Sequence, residues 1–170
     1  GGGGYTPPTE DEEGSCVIEG TLIKTERGSI PAERVELGDK VYSYNFETQE
    51  FGYFEVIEVK EPVERKSWFK ITTLLGETLS CTVDHPLFST SIESGELPIK
   101  EAKIGDPVYI IQDGKLLEDS LASIEKISGE TRVYNFEIEV VHSYFSDNIL
   151  SHNASTKTES EMDAATHASS

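Results

Sequence analysis

The 170 residues predict an all-β domain between two short polar tails, and three observations predict it. Short runs rich in Val, Ile, Tyr, Phe and Thr alternate at period two. Gly, Asp and Pro punctuate those runs at the spacing of short strands. A fifteen-residue segment occurs twice.

Taken in order, residues 1–15, GGGGYTPPTEDEEGS, join glycine, proline and an acidic run with almost no aliphatic side chains, which is a linker composition. The texture changes at Cys16. CVIEGTLIKT, DKVYSYNF, FGYFEVIEVKE, SWFKITTLL, GETLSCTVDH, DPVYIIQ, LASIEKI, TRVYNFEIEVV and HSYF then read as strands. Helix is expected only as a turn at PAERVEL and another at PIKEAKI, where Pro31 and Pro98 stand at first-turn positions. From 154 to 170, ASTKTESEMDAATHASS has no periodic apolar face and forms a second tail. The expected organisation is an N-terminal flank 1–15, one domain 16–153 and a C-terminal flank 154–170.

The repeat aligns GSIPAERVELGDKVY (28–42) with GELPIKEAKIGDPVY (95–109) without a gap, at an offset of 67 residues, with six of fifteen positions identical. Each copy runs Gly, Pro, a helical turn, Gly-Asp, then a strand opening on Val-Tyr. The glycine suits a positive φ and the aspartate suits capping backbone N–H groups before the strand. A true duplication implies two similar β subdomains about a pseudo-twofold axis.

Composition narrows the function classes. A formal charge of −18, of which −12 falls on residues 16–153, repels the phosphate backbone that dominates nucleic-acid affinity. No run approaches the ~18 apolar residues of a spanning helix, so neither nucleic acid nor membrane is an expected partner. The chain opens on Gly1 and its one methionine is Met162, as expected of a segment taken from a longer polypeptide. Cys16 and Cys81, 65 residues apart, are too few for a disulfide scaffold or a four-thiolate zinc site. One disulfide or two free thiols remain open, and zinc held by Cys81 with His85 is a lesser alternative.

The residues able to do chemistry gather at the two boundaries. Cys16 is the first residue of the domain, just after the Ser15–Cys16 peptide bond. A thiol of ordinary pKa, about 8.5, is a few per cent thiolate at neutral pH yet strongly nucleophilic, so Cys16 is able to attack the Ser15 carbonyl and turn that amide into a thioester. The shift is uphill and needs an oxyanion donor, worth roughly 3 kcal/mol, and an acid for the leaving amine. Thr82 and His85, three residues apart just after a strand, suit one turn that aims both at the peptide, with His85 as the acid. At the other end, the Asn153 side-chain amide can close a succinimide on its own carbonyl and expel the Ala154 nitrogen. A poor nucleophile of this kind needs proximity, a base and hydrogen bonding to the carbonyl, roles open to His142 and His152. Each residue alone also has an ordinary reading, as a buried thiol, a strand threonine, edge histidines or a loop asparagine. Their positions at the ends of the folded region favour the chemical one.

Four stretches, CVIEGTLI, SIPAERVELGDKVYSYN, GETLSCTVDHPLF and TRVYNFEIEVVHSYFSDNILSHN, resemble the successive blocks of Hedgehog/intein (Hint) domains. The likeness is greatest to bacterial intein-like domains ending in His-Asn and to pretoxin Hint modules. The resemblance implies an all-β horseshoe with pseudo-twofold symmetry that processes its own flanks without metal or organic cofactor. By it Cys16 corresponds to the first-position nucleophile, Thr82 and His85 to the Thr-x-x-His pair, His142 to the histidine of the penultimate block, and His152 and Asn153 to the terminal pair. Two departures stand out. Asn135 replaces the aspartate of many splicing inteins and cannot exchange a proton as a carboxylate does. Ala154 offers no thiol or hydroxyl to accept an acyl group, so cleavage at both junctions is expected rather than splicing. The alternatives are a splicing intein whose acceptor has been replaced by Ala154, an inactive structural β module and, more remotely, a papain-like hydrolase acting on other proteins. The partners implied are the chain's own flanks, on a monomer.

Overall fold

The computed structural model describes residues 16–152, and in it nearly every residue of regular structure is a strand. The fourteen strands are β1 (Val17–Ile18), β2 (Leu22–Thr25), β3 (Gly28–Pro31), β4 (Lys40–Asn45), β5 (Glu50–Val59), β6 (Val63–Thr73), β7 (Thr78–Cys81), β8 (Pro86–Phe88), β9 (Glu96–Pro98), β10 (Pro107–Gln112), β11 (Lys115–Tyr134), β12 (Phe136–Ile138), β13 (Ser143–Ser146) and β14 (Ile149–His152). Hydrogen bonding links them in the order β1-β7-β6-β11-β10-β14-β13-β2-β4-β5-β12, with β3 on β2 and β8 between β14 and β9. All pairings are antiparallel. No helix among the described residues is long and apolar enough to cross a membrane.

Two helical turns occur where the prolines placed them, as single 3-10 turns at Ala32–Arg34 and Ile99–Glu101. The duplication extends to individual hydrogen bonds. Pro31 and Pro98 share φ −67° and differ by only a few degrees in ψ, 151° and 148°. Asp39 Oδ2 accepts from Glu36 N at 2.8 Å, and Asp106 Oδ2 accepts from Lys103 N at 2.8 Å. Gly38 N donates to Val56 O at 2.9 Å and Gly105 N to Leu121 O at 2.8 Å, from φ values of +91° and +97° that strain an L-residue. The copies differ in one partner: the Arg27 guanidinium hydrogen-bonded to Asp39 holds that carboxyl below its usual range.

Two strand runs depart from expectation. CVIEGTLIKT divides into β1 and β2, because Gly20 at φ +87° turns the chain between them. LASIEKI and the first part of TRVYNFEIEVV instead fuse into the twenty-residue β11, which pairs with β10, then β6, then β1. It absorbs the intervening Ser-Gly-Glu through a register shift between Ser128 and Thr131. The run breaks at Asn135, and β12 continues on β5.

Period-two alternation gives β13 and β14 two working faces. The pair is joined by Asp147-Asn148, both with positive φ (47° and 74°), which fixes Ser143 opposite His152, Tyr144 opposite Ser151 and Ser146 opposite Ile149. Tyr144 and Ile149 join the main apolar core with Val17, Cys81, Leu87 and Phe136. Phe145 and Leu150, on the opposite face, join a second cluster beside Phe88 and Tyr109.

Candidate functional site

Cys16 stands at the entry to β1 and is 2% exposed. Its carbonyl accepts from Thr82 N at 3.1 Å and from Thr82 Oγ1 at 3.4 Å, so the end of β7 and the start of the domain are held side by side. The hydroxyl contact is long for an O–H donor, whose usual range ends near about 3.0 Å, and its added grip is slight.

Thr82 to His85 form a turn closed by His85 N donating to Thr82 O at 3.1 Å. The second copy of the repeat clamps this turn from outside. Ile99 N donates to His85 O at 3.1 Å, Lys100 N donates to Val83 O at 2.9 Å, and Lys100 Nζ pairs with Asp84 at 2.8 Å. Thr82 and His85 are buried, so the turn presents both side chains inward.

The His85 ring reaches β14, where Nε2 shares a hydrogen bond with Ser151 Oγ at 2.8 Å. Ser151 Oγ lies 3.1 Å from Ser146 Oγ, and both serines are fully buried. Tyr144, on the same face, is sealed in the core, and that burial pushes its hydroxyl well above the usual phenol range. Cys81 is likewise pushed up, chiefly by burial and also by the neighbouring Cys16, which keeps it a protonated thiol. Both cysteines are free, which resolves the open question in favour of two thiols.

On the other face of β14, His152 pairs through Nδ1 with Glu96 Oε2 at 3.1 Å, and its ring centroid lies 5.5 Å from that of Phe88. His142 precedes β13 at φ +52° and contacts Glu137 Oε2 through Nδ1 at 3.1 Å. Since Ser143 is opposite His152, the two histidines flank the same end of the β13–β14 hairpin. Each presents Nδ1 to a carboxylate, which orients the ring. Thus Cys16, Thr82 and His85 are joined by one run of hydrogen bonds, while His142 and His152 flank the open end of the β13–β14 hairpin, with His152 on the face of β14 opposite Ser151. Ser15, Asn153 and Ala154 lie outside the described residues. Among the described residues, no three or more His, Cys, Asp or Glu side chains converge as a metal-ligand set.

Ser146, Ser151, Glu96 and Glu137 were not singled out by the sequence reading. A serine at an inward position of an apolar strand, or a glutamate between Phe136 and Ile138, is the only signal, and it depends on knowing the register.

The sequence profile described as the pretoxin HINT domain matches residues 22–156. The chain belongs to the pretoxin Hint family. Solved structures agree with this Hint assignment. The chain is similar to the gp41-1 intein, at 26% identity and TM-score 0.68 over 82% of this chain and 99% of that one. It is similar to the bacterial intein-like domain from Clostridium thermocellum, at 26% identity and TM-score 0.69 over 82% and 99%. A DnaB intein from Synechocystis sp. PCC 6803, at 17% identity and TM-score 0.72 over 82% and 98%, shares the fold. No curated protein matches the chain. The fold is the all-β Hint/intein architecture, and the domain is of the self-processing, intein-like kind.

Proposed function

We propose that this Hint domain severs its own backbone at Ser15–Cys16 and at Asn153–Ala154, and that it joins the flanks poorly or not at all. At the first junction the Cys16 thiol adds to the Ser15 carbonyl carbon. The C–N bond then breaks, the acyl group passes to sulfur, and His85 delivers a proton to the departing Cys16 nitrogen. Thr82 stabilises the developing oxyanion. Water or a small thiol then cleaves the thioester. At the second junction the Asn153 side-chain nitrogen adds to the Asn153 carbonyl, a succinimide closes, and the Ala154 nitrogen leaves as an amine. His152 donates to the carbonyl under attack, while His142 relays the proton. Ala154 has no side-chain nucleophile, so the acyl group at Cys16 has no acceptor on the C-terminal flank.

The observation that carries this proposal is the burial of Cys16 and His85 on a continuous set of contacts running from Cys16 through the Thr82–His85 turn to Ser151 in the strand that ends at His152. A nucleophile this enclosed suits attack on the peptide bond already joined to it better than attack on a separate protein. On this reading the partners are the chain's own flanks, within a monomer.

Mass spectrometry of the purified full chain, with and without a small thiol, tests it. Fragments ending at Ser15 should appear faster with thiol and at a rate independent of protein concentration, and fragments ending at Asn153 should appear without it. Cys16→Ala should abolish only the first cut and Asn153→Ala only the second. A pattern untouched by both substitutions points to a contaminating protease, an inert chain points to a structural module, and either refutes the proposal.

A further inference from the structure

We propose that Val140 is a positioning residue for His142, its strained turn serving as the rigid mount that holds the imidazole against Glu137 for the second junction. The inference rests on the self-processing function above and adds a residue to its second step. Val140 has φ +65°, and Val141 N donates to Glu139 O at 2.6 Å across it, which is the rare and strained hand of γ-turn. Two residues on, His142 also has a positive φ, +52°. Gly, Asn and Asp are the usual occupants of that region, and a β-branched side chain there is an outlier. Burial does not account for the valine, which is 65% exposed and belongs to neither apolar cluster.

Such a conformation persists only where the surroundings impose it, and both ends of this turn are pinned. On the β12 side Ile138 pairs with Val56, Glu139 N donates to Glu55 O at 3.0 Å, and Glu55 N donates back to Glu139 Oε2 at 3.0 Å. On the β13 side Ser143 pairs with His152, and its buried hydroxyl meets that of Ser43 at 2.8 Å. Val141 packs against the main core. Residues 140–142 alone cross from one anchor to the other, and the crossing brings His142 Nδ1 to 3.1 Å from Glu137 Oε2, five residues back. The consequence is stiffness. At positive φ a β-branched residue has a narrow allowed region and a restricted χ1, so a turn forced there has almost nowhere to relax. Glycine fits the same φ without strain but widens the range of conformations open to the turn. Valine therefore lowers stability and sharpens the placement of His142, at a site where about 1 Å of misplacement slows a reaction roughly a hundredfold.

The test uses the full chain. Val140→Gly should raise Tm by about 3 °C, because strain relief outweighs the extra freedom of the unfolded glycine. In a Cys16→Ala background the same substitution should slow cleavage after Asn153 about tenfold. Thiol-dependent release at Ser15, read in an Asn153→Ala background, should hold its rate. Val140→Thr, which keeps the branch and loses the apolar surface, should match the parent at both junctions. For spectroscopy the chain carries Cys16→Ala and Asn153→Ala so that it stays intact, and the His142 ring nitrogens are assigned by their loss in His142→Gln. Val140→Gly should move the Nδ1 signal towards its position in Glu137→Ala, which lacks the carboxylate, and Val140→Thr should leave it in place. A Val140→Gly chain that cleaves after Asn153 at the parent rate, slows equally at both junctions, or melts below the parent overturns the proposal. Slowing in Val140→Thr as large as in Val140→Gly also overturns it, and assigns the exposed side chain to contact with something outside the domain. A parent chain that releases nothing refutes self-processing instead, and the ring signals and melting temperatures still decide whether Val140 holds His142.

Discussion

Replacing Thr82 by valine separates a chemical role from a structural one, because the branched shape stays and only the hydroxyl goes. The backbone bond from Thr82 N to Cys16 O at 3.1 Å, and the turn closed by His85 N on Thr82 O at 3.1 Å, do not involve the side chain. The hydroxyl contact to Cys16 O, at 3.4 Å, is beyond the usual O–H···O range and contributes under about 0.5 kcal/mol to the folded state. Stability should therefore change little. A hydroxyl that turns from Cys16 O to the Ser15 carbonyl as negative charge develops there is worth roughly 3 kcal/mol, about a hundredfold in rate. Thiol-dependent release at Ser15–Cys16, followed by mass spectrometry or gel densitometry beside a thermal melt, should slow by that factor at a nearly constant Tm. A rate within a few-fold of the parent would remove Thr82 from the chemistry. A rate that falls only in step with Tm would make it a packing residue.

Glu137→Gln keeps an acceptor near His142 Nδ1 but removes the charge 3.1 Å away that favours the protonated ring. Cleavage after Asn153 should slow about tenfold while thiol-dependent release at Ser15 holds its rate, and equal slowing of both would assign Glu137 to folding alone. Asp147→Asn should raise Tm at neutral pH. Burial raises the Asp147 carboxyl above its ordinary range, against the hydrogen bond from Leu22 N and helped by nearby Glu77. A raised carboxyl contributes its stability below the ordinary pKa of about 3.9 and loses it as pH rises through the folded-state value. Asparagine still accepts from Leu22 N and tolerates φ +47°, so its advantage should shrink as the solution is acidified towards pH ~4, and an advantage constant with pH would contradict this account.

The strands, the two proline-led turns and the duplication were legible because each is written locally, in period-two alternation or in the Gly-Asp-x-Val-Tyr signature. Strand ends were less so. The split at Gly20 and the fusion across Ser128–Thr131 depend on which neighbour pairs with the segment, a tertiary choice. At the site, Thr82 and His85 were readable as a turn just after a strand. The carboxylates that orient His142 and His152 were not, and neither were the hydroxyls under His85. Glu96, Glu137, Ser146 and Ser151 look like ordinary strand residues until the Asp147-Asn148 turn sets the register that turns Ser146 and Ser151 inward on one face.

The clamp that holds the Thr82–His85 turn has a counterpart in the other half of the molecule. Ala32 N donates to Thr21 O at 2.8 Å as Ile99 N does to His85 O, and Thr21 N closes on Ile18 O as His85 N does on Thr82 O. The counterpart turn, Ile18-Glu19-Gly20-Thr21, therefore offers a threonine where the second offers an imidazole and an isoleucine where the second offers a hydroxyl. Architectural kinship has been kept while the hydroxyl and the imidazole stand in one copy only. The silent copy thus provides a built-in blank: grafting Thr and His onto it would show whether its scaffold alone is enough to make a peptide bond labile.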